Sequence, residues 1–187
     1  TNFGGNATWG TTVRALAGGK LLLGAVTQIA DGNLGLLADG AGSIITLTNL
    51  ASCPGPAKII SFEARNSGVI QAPLLVDGHY ATFTIRSGGS LNVTQLTRAR
   101  GFVADGLALT LPVLTNLDNA DLSALNGGSL TFPALPSYVD NGGCCGTLWE
   151  ANGPGTFLNF PALTSLAGSF TWTPTIRGLG GGKILLG

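Results

Sequence analysis

The chain repeats itself at long range. Residues 8–24 read TWGTTVRALAGGKLLLG and residues 171–187 read TWTPTIRGLGGGKILLG, with eleven of seventeen positions identical at a constant offset of 163 and no gap. Between the two copies a shorter pattern recurs: LLLGAV (21–26), ITLTNL (45–50), IQAPLL (70–75), LNVTQL (91–96), LTLPVL (109–114), LTFPAL (130–135) and LNFPAL (158–163). Each has an apolar residue at its first, third and sixth places. The fourth places are Gly24, Thr48, Pro73, Thr94, Pro112, Pro133 and Pro161, spaced by 24, 25, 21, 18, 21 and 28 residues, and a further 26 reaches Gly187. Seven short repeats therefore make one long one. A segment of this length cannot bury an apolar face alone and must stack on its neighbours, which restricts the fold to a solenoid.

The short repeat opens with alternation of period 2, which puts every second residue on one face of a strand. Gly, Pro, Thr, Ser and Asn are too dense for a helix of useful length in most repeats. The expectation is an all-β parallel β-helix of about seven coils, 18–28 residues each, uncapped at both ends. Leu109, Leu111, Leu114, Leu130, Phe132, Leu135, Leu158, Phe160 and Leu163 are the expected inward residues. Proline cannot donate to a ladder, so Pro73, Pro112, Pro133 and Pro161 mark a corner rather than mid-strand. Gly-rich segments such as SGG (87–89) and NGG (126–128) supply the other bends.

On this reading residues 1–163 are one unit, and residues 164–187 begin the next within a single continuous solenoid. Leu21 and Leu23 take the place that Ile184 and Leu186 take one unit later, as unit-to-unit contacts, with Lys20 and Lys183 pointing out. Seven parallel coils advance the axis by about 34 Å. The opening residues show no signal sequence and the chain has no Met, so the expectation is the interior of a longer or processed polypeptide.

The phrases GGSLTFPALPSY (127–138) and FLNFPALTSLAGSFTW (157–172) resemble β-helix repeats of bacterial surface proteins of the GGSLTLPALTSL type and, more distantly, repeats of receptor L-domains. The likeness is good over residues 88–172 and poor over 18–87. It implies a right-handed, strand-rich solenoid used in adhesion, recognition or surface structure. It encodes a coil shape and carries no chemistry.

Composition narrows the function classes. Only 10% of residues are charged, nine basic against nine acidic, so there is no electrostatic footprint for nucleic acid or an anionic membrane. No apolar run approaches the roughly 20 residues that insertion as a helix requires. Candidate catalytic residues are few. Asp118 and Asp121 belong to LDNADL, a turn after a corner. Asp31, Asp39, Asp77 and Asp105 each precede Gly, the chemistry of a tight turn. His79 is the single histidine, and Arg98 and Arg100 flank Ala99 on a wet strand face. Single substitution of His79, Asp118 or Arg98 is therefore expected to be nearly silent. Cys53, Cys144 and Cys145 are an odd number; the readings are one loop disulfide, Cys53 with Cys144 or Cys145, or an adjacent Cys144–Cys145 pair, and there is no zinc spacing.

No catalytic residue, metal or cofactor is expected. The favoured function is a structural extracellular or cell-surface fibre, stalk or surface layer, whose partners are further copies of the same repeat, joined in tandem or stacked head to tail. The rival is a β-helical carbohydrate-binding or adhesin domain, with surface polysaccharide as partner. A polysaccharide-cleaving enzyme stands third. The rival requires convergent carboxylates and aromatic platforms along one face.

Overall fold

A computed structural model describes residues 2–4, 10–55, 60–141, 146–168 and 173–187. The described elements are all strands, paired in parallel as a β-solenoid of about seven turns. It divides into two compact units, residues 1–96 and 97–187.

The first unit holds β1 (Asn2–Gly4), β2 (Thr11–Leu16), β3 (Lys20–Leu22), β4 (Gln28–Asp31), β5 (Leu34–Asp39), β6 (Ile44–Thr46), β7 (Ile60–Arg65), β8 (Val69–Gln71), β9 (Asp77–Arg86) and β10 (Ser90–Asn92). Its long ladder runs β2, β5, β7, β9 and its short ladder β3, β6, β8, β10. The third side is thin: β1 pairs with β4, and single bridges join Gln28 to Ser52 and Ser52 to Asp77.

The second unit repeats the plan with β11 (Arg98–Asp105), β12 (Ala108–Thr110), β13 (Asp121–Leu125), β14 (Ser129–Thr131), β15 (Ser137–Val139), β16 (Leu148–Asn152), β17 (Phe157–Phe160), β18 (Ser165–Ala167), β19 (Thr175–Leu179) and β20 (Lys183–Leu186). Here the long ladder runs β11, β13, β16, β19, the short one β12, β14, β17, β20, and the third side is β15 with β18.

Two kinds of corner shape each coil. At the first, the third-place carbonyl of the short repeat accepts the sixth-place N–H: Leu23 from Val26 (3.0 Å), Ala72 from Leu75 (3.1 Å), Leu111 from Leu114 (3.4 Å), Phe132 from Leu135 (3.5 Å) and Phe160 from Leu163 (3.2 Å). The fourth place is thus the second residue of a β-turn, where the fixed φ of proline fits and its missing N–H costs nothing. Pro73, Pro112, Pro133 and Pro161 all sit there, exposed.

The second corner joins the long ladder to the short one through a turn with two residues at positive φ, as at Asn66 and Ser67 (52° and 67°) or Asn126 and Gly127 (52° and 80°). The residue that follows meets the preceding coil. A Cβ on Gly128 would lie 2.3 Å from the Ala104 carbonyl oxygen, and one on Gly89 2.1 Å from that of Ala64. Backbone occupies the space, so only glycine fits. Two coils solve the same corner with a hydroxyl. Ser43 accepts the Gly18 N–H (3.0 Å) and donates to the Asp39 carbonyl (2.7 Å), while Thr156 accepts the Gly127 N–H (2.9 Å) and donates to that of Asn152 (3.2 Å).

In-register pairing turns the inward residues into columns. Ala15, Ala38 and Ala64 are one buried column in the first unit, and Ala104, Ala124 and Ala151 another in the second. Parallel neighbours lie about 4.8 Å apart, so small residues stack on small and rings on rings. Phe62 stacks on Phe83 at 5.1 Å and Phe132 on Phe160 at 5.2 Å; within one coil, Phe160 also stacks at 4.5 Å on Trp149, whose own register partners are Leu122 and Ile176.

Of the residues expected to point inward, Leu111, Leu114, Leu130, Phe132, Leu135, Leu158, Phe160 and Leu163 are buried. Leu109 is only half-buried. It lies on β12, the end strand of its sheet, and is covered in register by Leu130 from one side alone.

Candidate functional site

The outward residues of β2, β5 and β7 form a surface groove of the first unit. Alternation places Thr12, Gly35 and Ser61 in one column, Arg14, Leu37 and Glu63 in the next, and Leu16, Asp39 and Arg65 in a third. Gly35 contributes no side chain, and the gap it leaves between its neighbours opens a groove of about 340 Å³ floored by Leu36 and walled by Thr12, Arg14, Ser61, Glu63 and Arg65.

Charges along the groove are held from coil to coil. Arg65 grips the Asp39 carboxylate with Nη2 at 2.8 Å and Nε at 2.9 Å, and Asn66 donates to its other oxygen at 2.8 Å. Glu63 lies 3.5 Å from Arg65 and 3.9 Å from Nε of Arg86. The hydrogen bonds from Asn66 and then Arg65 hold the Asp39 carboxyl below the usual carboxylate range, and Asp39 in turn raises Arg65. General acid catalysis needs a carboxyl raised until it keeps its proton. Here Asp39 is pushed the other way, which suits a clasp between coils. Nor does an aromatic ring line the groove on which a sugar could stack.

Among the described residues Asp39 is the one sequence candidate that belongs to this clasp; Asp77 accepts the His79 N–H at 3.0 Å. Asp118 is half-buried; one carboxylate oxygen accepts the Val139 N–H at 2.8 Å and the other the Asn116 amide at 3.0 Å. It clasps successive coils, which removes the ground for expecting its replacement to be silent. Asp121 does the same for the Leu148 N–H at 2.8 Å. His79 is half-buried, with its ring edge-on to Tyr80 at 4.4 Å. Arg98 and Arg100 are half-buried on either side of buried Ala99. Gly32, Gly40 and Gly106 do follow Asp at positive φ, but Gly78 does not: Asp77 and Gly78 begin β9, so that pair is strand and not turn.

Cys53 is a free, buried thiol, which takes it out of the disulfide considered with Cys144 or Cys145; those two lie outside the described residues. Burial, with the Asp77 charge adding to it, pushes the Cys53 thiol up to about 12, the reverse of a reactive cysteine. Leu21, Leu23 and Ile184 are half-buried, Leu186 is exposed, and Lys20 and Lys183 point to solvent.

The second unit hides a polar cluster. Tyr138 donates to the Thr147 hydroxyl, which donates to Asp140 (3.1 Å), and Asp140 also accepts the Thr147 N–H at 3.2 Å. All three residues are buried. Each group has a partner within the cluster, which ties Asp140 and Thr147 to each other and to Tyr138.

Sequence reasoning passed over the Asp39, Glu63, Arg65 and Arg86 clasp. Its signal was present: Asp39, Arg65 and Arg86 each stand directly before a corner turn, and aligning coils on that turn brings them into one column.

Among the described residues there is no group of three or more His, Cys, Asp or Glu placed to hold a metal, and no helix long and apolar enough to cross a membrane. No family model matches the chain, and neither does any curated protein or solved structure.

Proposed function

We propose that the chain is a section of a structural fibre, stalk or surface layer, displayed outside the cell and assembled from repeated 163-residue units. One observation carries this reading: the two copies of the long repeat adopt the same rung. Strands β1, β2 and β3 recur as β18, β19 and β20, with starts displaced by 163 residues for β1 and β3 and by one residue more for β2. The corner turn recurs with them, φ being 49° and 82° at Ala17 and Gly18 and 57° and 91° at Gly180 and Gly181.

The two rungs use opposite edges. β2 pairs with β5, later in the chain, whereas β19 pairs with β16, earlier in it. Such a rung is built to have a neighbour on both sides. The side-chain clasps described above also run from coil to coil.

Electron microscopy of the full-length protein tests the reading. A rod is expected whose length grows by about 34 Å for each 163-residue unit in the reading frame, and protease added to whole cells should reach it. A full-length protein with one unit beside a catalytic domain would sink the proposal.

A further inference from the structure

We infer that the open edge of the first rung (β1, β2, β3) is a docking surface for the Leu148–Phe160 rung of another copy of the 163-residue unit, and that the two copies are consecutive in one chain. This rests on the fibre reading and specifies the joint that the fibre requires.

Three residues of the first rung are explained by a neighbour of that kind. Arg14 is the counterpart of Arg177, which grips Glu150 with Nε at 2.6 Å and Nη2 at 2.5 Å. Among the described residues Arg14 forms no ion pair, and its register partner is Leu37. Gly19 is the counterpart of Gly182, whose Cβ would lie 2.1 Å from the Ala151 carbonyl oxygen. No coil imposes that on Gly19, where a Cβ would meet only the backbone of its own turn, nearest the Leu16 oxygen at 3.0 Å. Gly24 is the counterpart of Gly187, where a Cβ would lie 2.2 Å from the Pro161 oxygen, yet at Gly24 it would meet only the Thr48 hydroxyl at 3.1 Å. A rung carrying Glu150, Ala151 and Pro161, set against this edge, accounts for all three.

A separate copy of the whole chain does not supply that rung. Its own last rung covers Leu148–Phe160, and would present Arg177 to Arg14 and Lys183 to Lys20. Like charges in register are unfavourable. Consecutive units avoid the conflict, because the rung after Leu148–Phe160 is then the first rung of the next unit. The far side follows by the same logic: the next unit's Ser43 would receive the Gly181 N–H as Ser43 receives that of Gly18, and its Asn49 would donate to the Gly187 carbonyl as Asn49 does to Gly24.

The test compares the 187-residue chain with a tandem in which residues 1–163 are followed by residues 1–187. Sedimentation velocity should find the 187-residue chain monomeric; head-to-tail oligomers would overturn the requirement for one chain. Denaturant unfolding of the tandem should be a single transition, steeper than that of the shorter chain. Two transitions, each like that of the shorter chain, would overturn the joint.

Gly19→Ala should lower the midpoint more in the second copy than in the first. Should that variant fail to fold, the charge swap decides: Glu150→Arg in the first copy with Arg14→Glu in the second should recover most of the midpoint lost by either alone. Equal effects of Gly19→Ala in both copies, or no recovery by the swap, would refute the docking. A full-length protein with one unit would remove the fibre reading while leaving the tandem result intact, so the two failures are distinguishable.

Discussion

The two units build the same coil and secure it differently. In the first, the outward columns carry the clasp of Asp39, Glu63, Arg65 and Arg86, while inside Phe62 stacks on Phe83. In the second, an outward pair joins Glu150 to Arg177, while inside Phe102, Phe132, Phe160, Trp149 and Tyr138 form a run of ring contacts beside the buried hydrogen bonds of Asp140 and Thr147. A coil's outline is therefore set by its corners and columns, and the source of cohesion can move between outside and inside without changing it. Buried rings act through packing and are indifferent to salt, whereas exposed ion pairs are screened.

Substitution of a ring separates the units most. Phe160→Ala removes a side chain stacked on both Phe132 and Trp149 and should cost about 3–5 kcal/mol in chemical denaturation. Phe62→Ala, with one stacked ring beside it, should fall at the lower end of that range; equal losses would show that the longer stack adds nothing. Next in size are the corners, which the units share. Gly128→Ala and Gly89→Ala drive a Cβ into a carbonyl and should each cost roughly 1–3 kcal/mol. A neutral result at either would mean that the coils sit farther apart than described.

The polar clasps come third. Asp118→Ala leaves the Val139 N–H without its acceptor and should cost about 1–3 kcal/mol, against about 1 kcal/mol for Ser43→Ala. Alkaline titration should also weaken the fold. Burial raises Tyr138 and Cys53 to about 12 each, so both keep their protons in the folded state after they would lose them unfolded. Their contribution is complete below the ordinary thiol and phenol values and is lost as pH rises toward 12. The smallest effect belongs to the outer clasp of the first unit. Asp39 is held below its ordinary value, so its contribution is present above that value and disappears as pH falls through the lowered one. Asp39→Asn should flatten the acid limb of the stability curve slightly, and added salt should erase the difference between variant and parent.

How much of this could be read in advance depended on where a residue sits in the coil. Leu130, Phe132 and Leu135 share a corner with Pro133, and strand alternation plus the geometry of proline places all of them from one hexapeptide. Leu109 has the same local pattern and ends half-buried, because coverage depends on which coil is the last of a sheet, and no hexapeptide records that. Asp118 reads locally as a turn former; its partner Val139 lies a full coil away and becomes visible only when coils are superposed. The outer clasp failed to stand out for the same reason. Asp77 misled because Asp-Gly favours a turn only where the coil has a corner, and at that point the third side runs straight into β9.

The thin third side has a practical bearing. Coil length varies from 18 to 28 residues, yet the corner turns and the two fuller ladders recur with little change. In places the third side is held by single bridges, as at Ser52 and Asn116. Extra residues there disturb few ladder bonds and displace no close-packed glycine. For anyone wishing to graft an epitope, a tag or a binding peptide onto this scaffold, that side is the insertion port, and the number of copies would set how many such ports a single molecule displays.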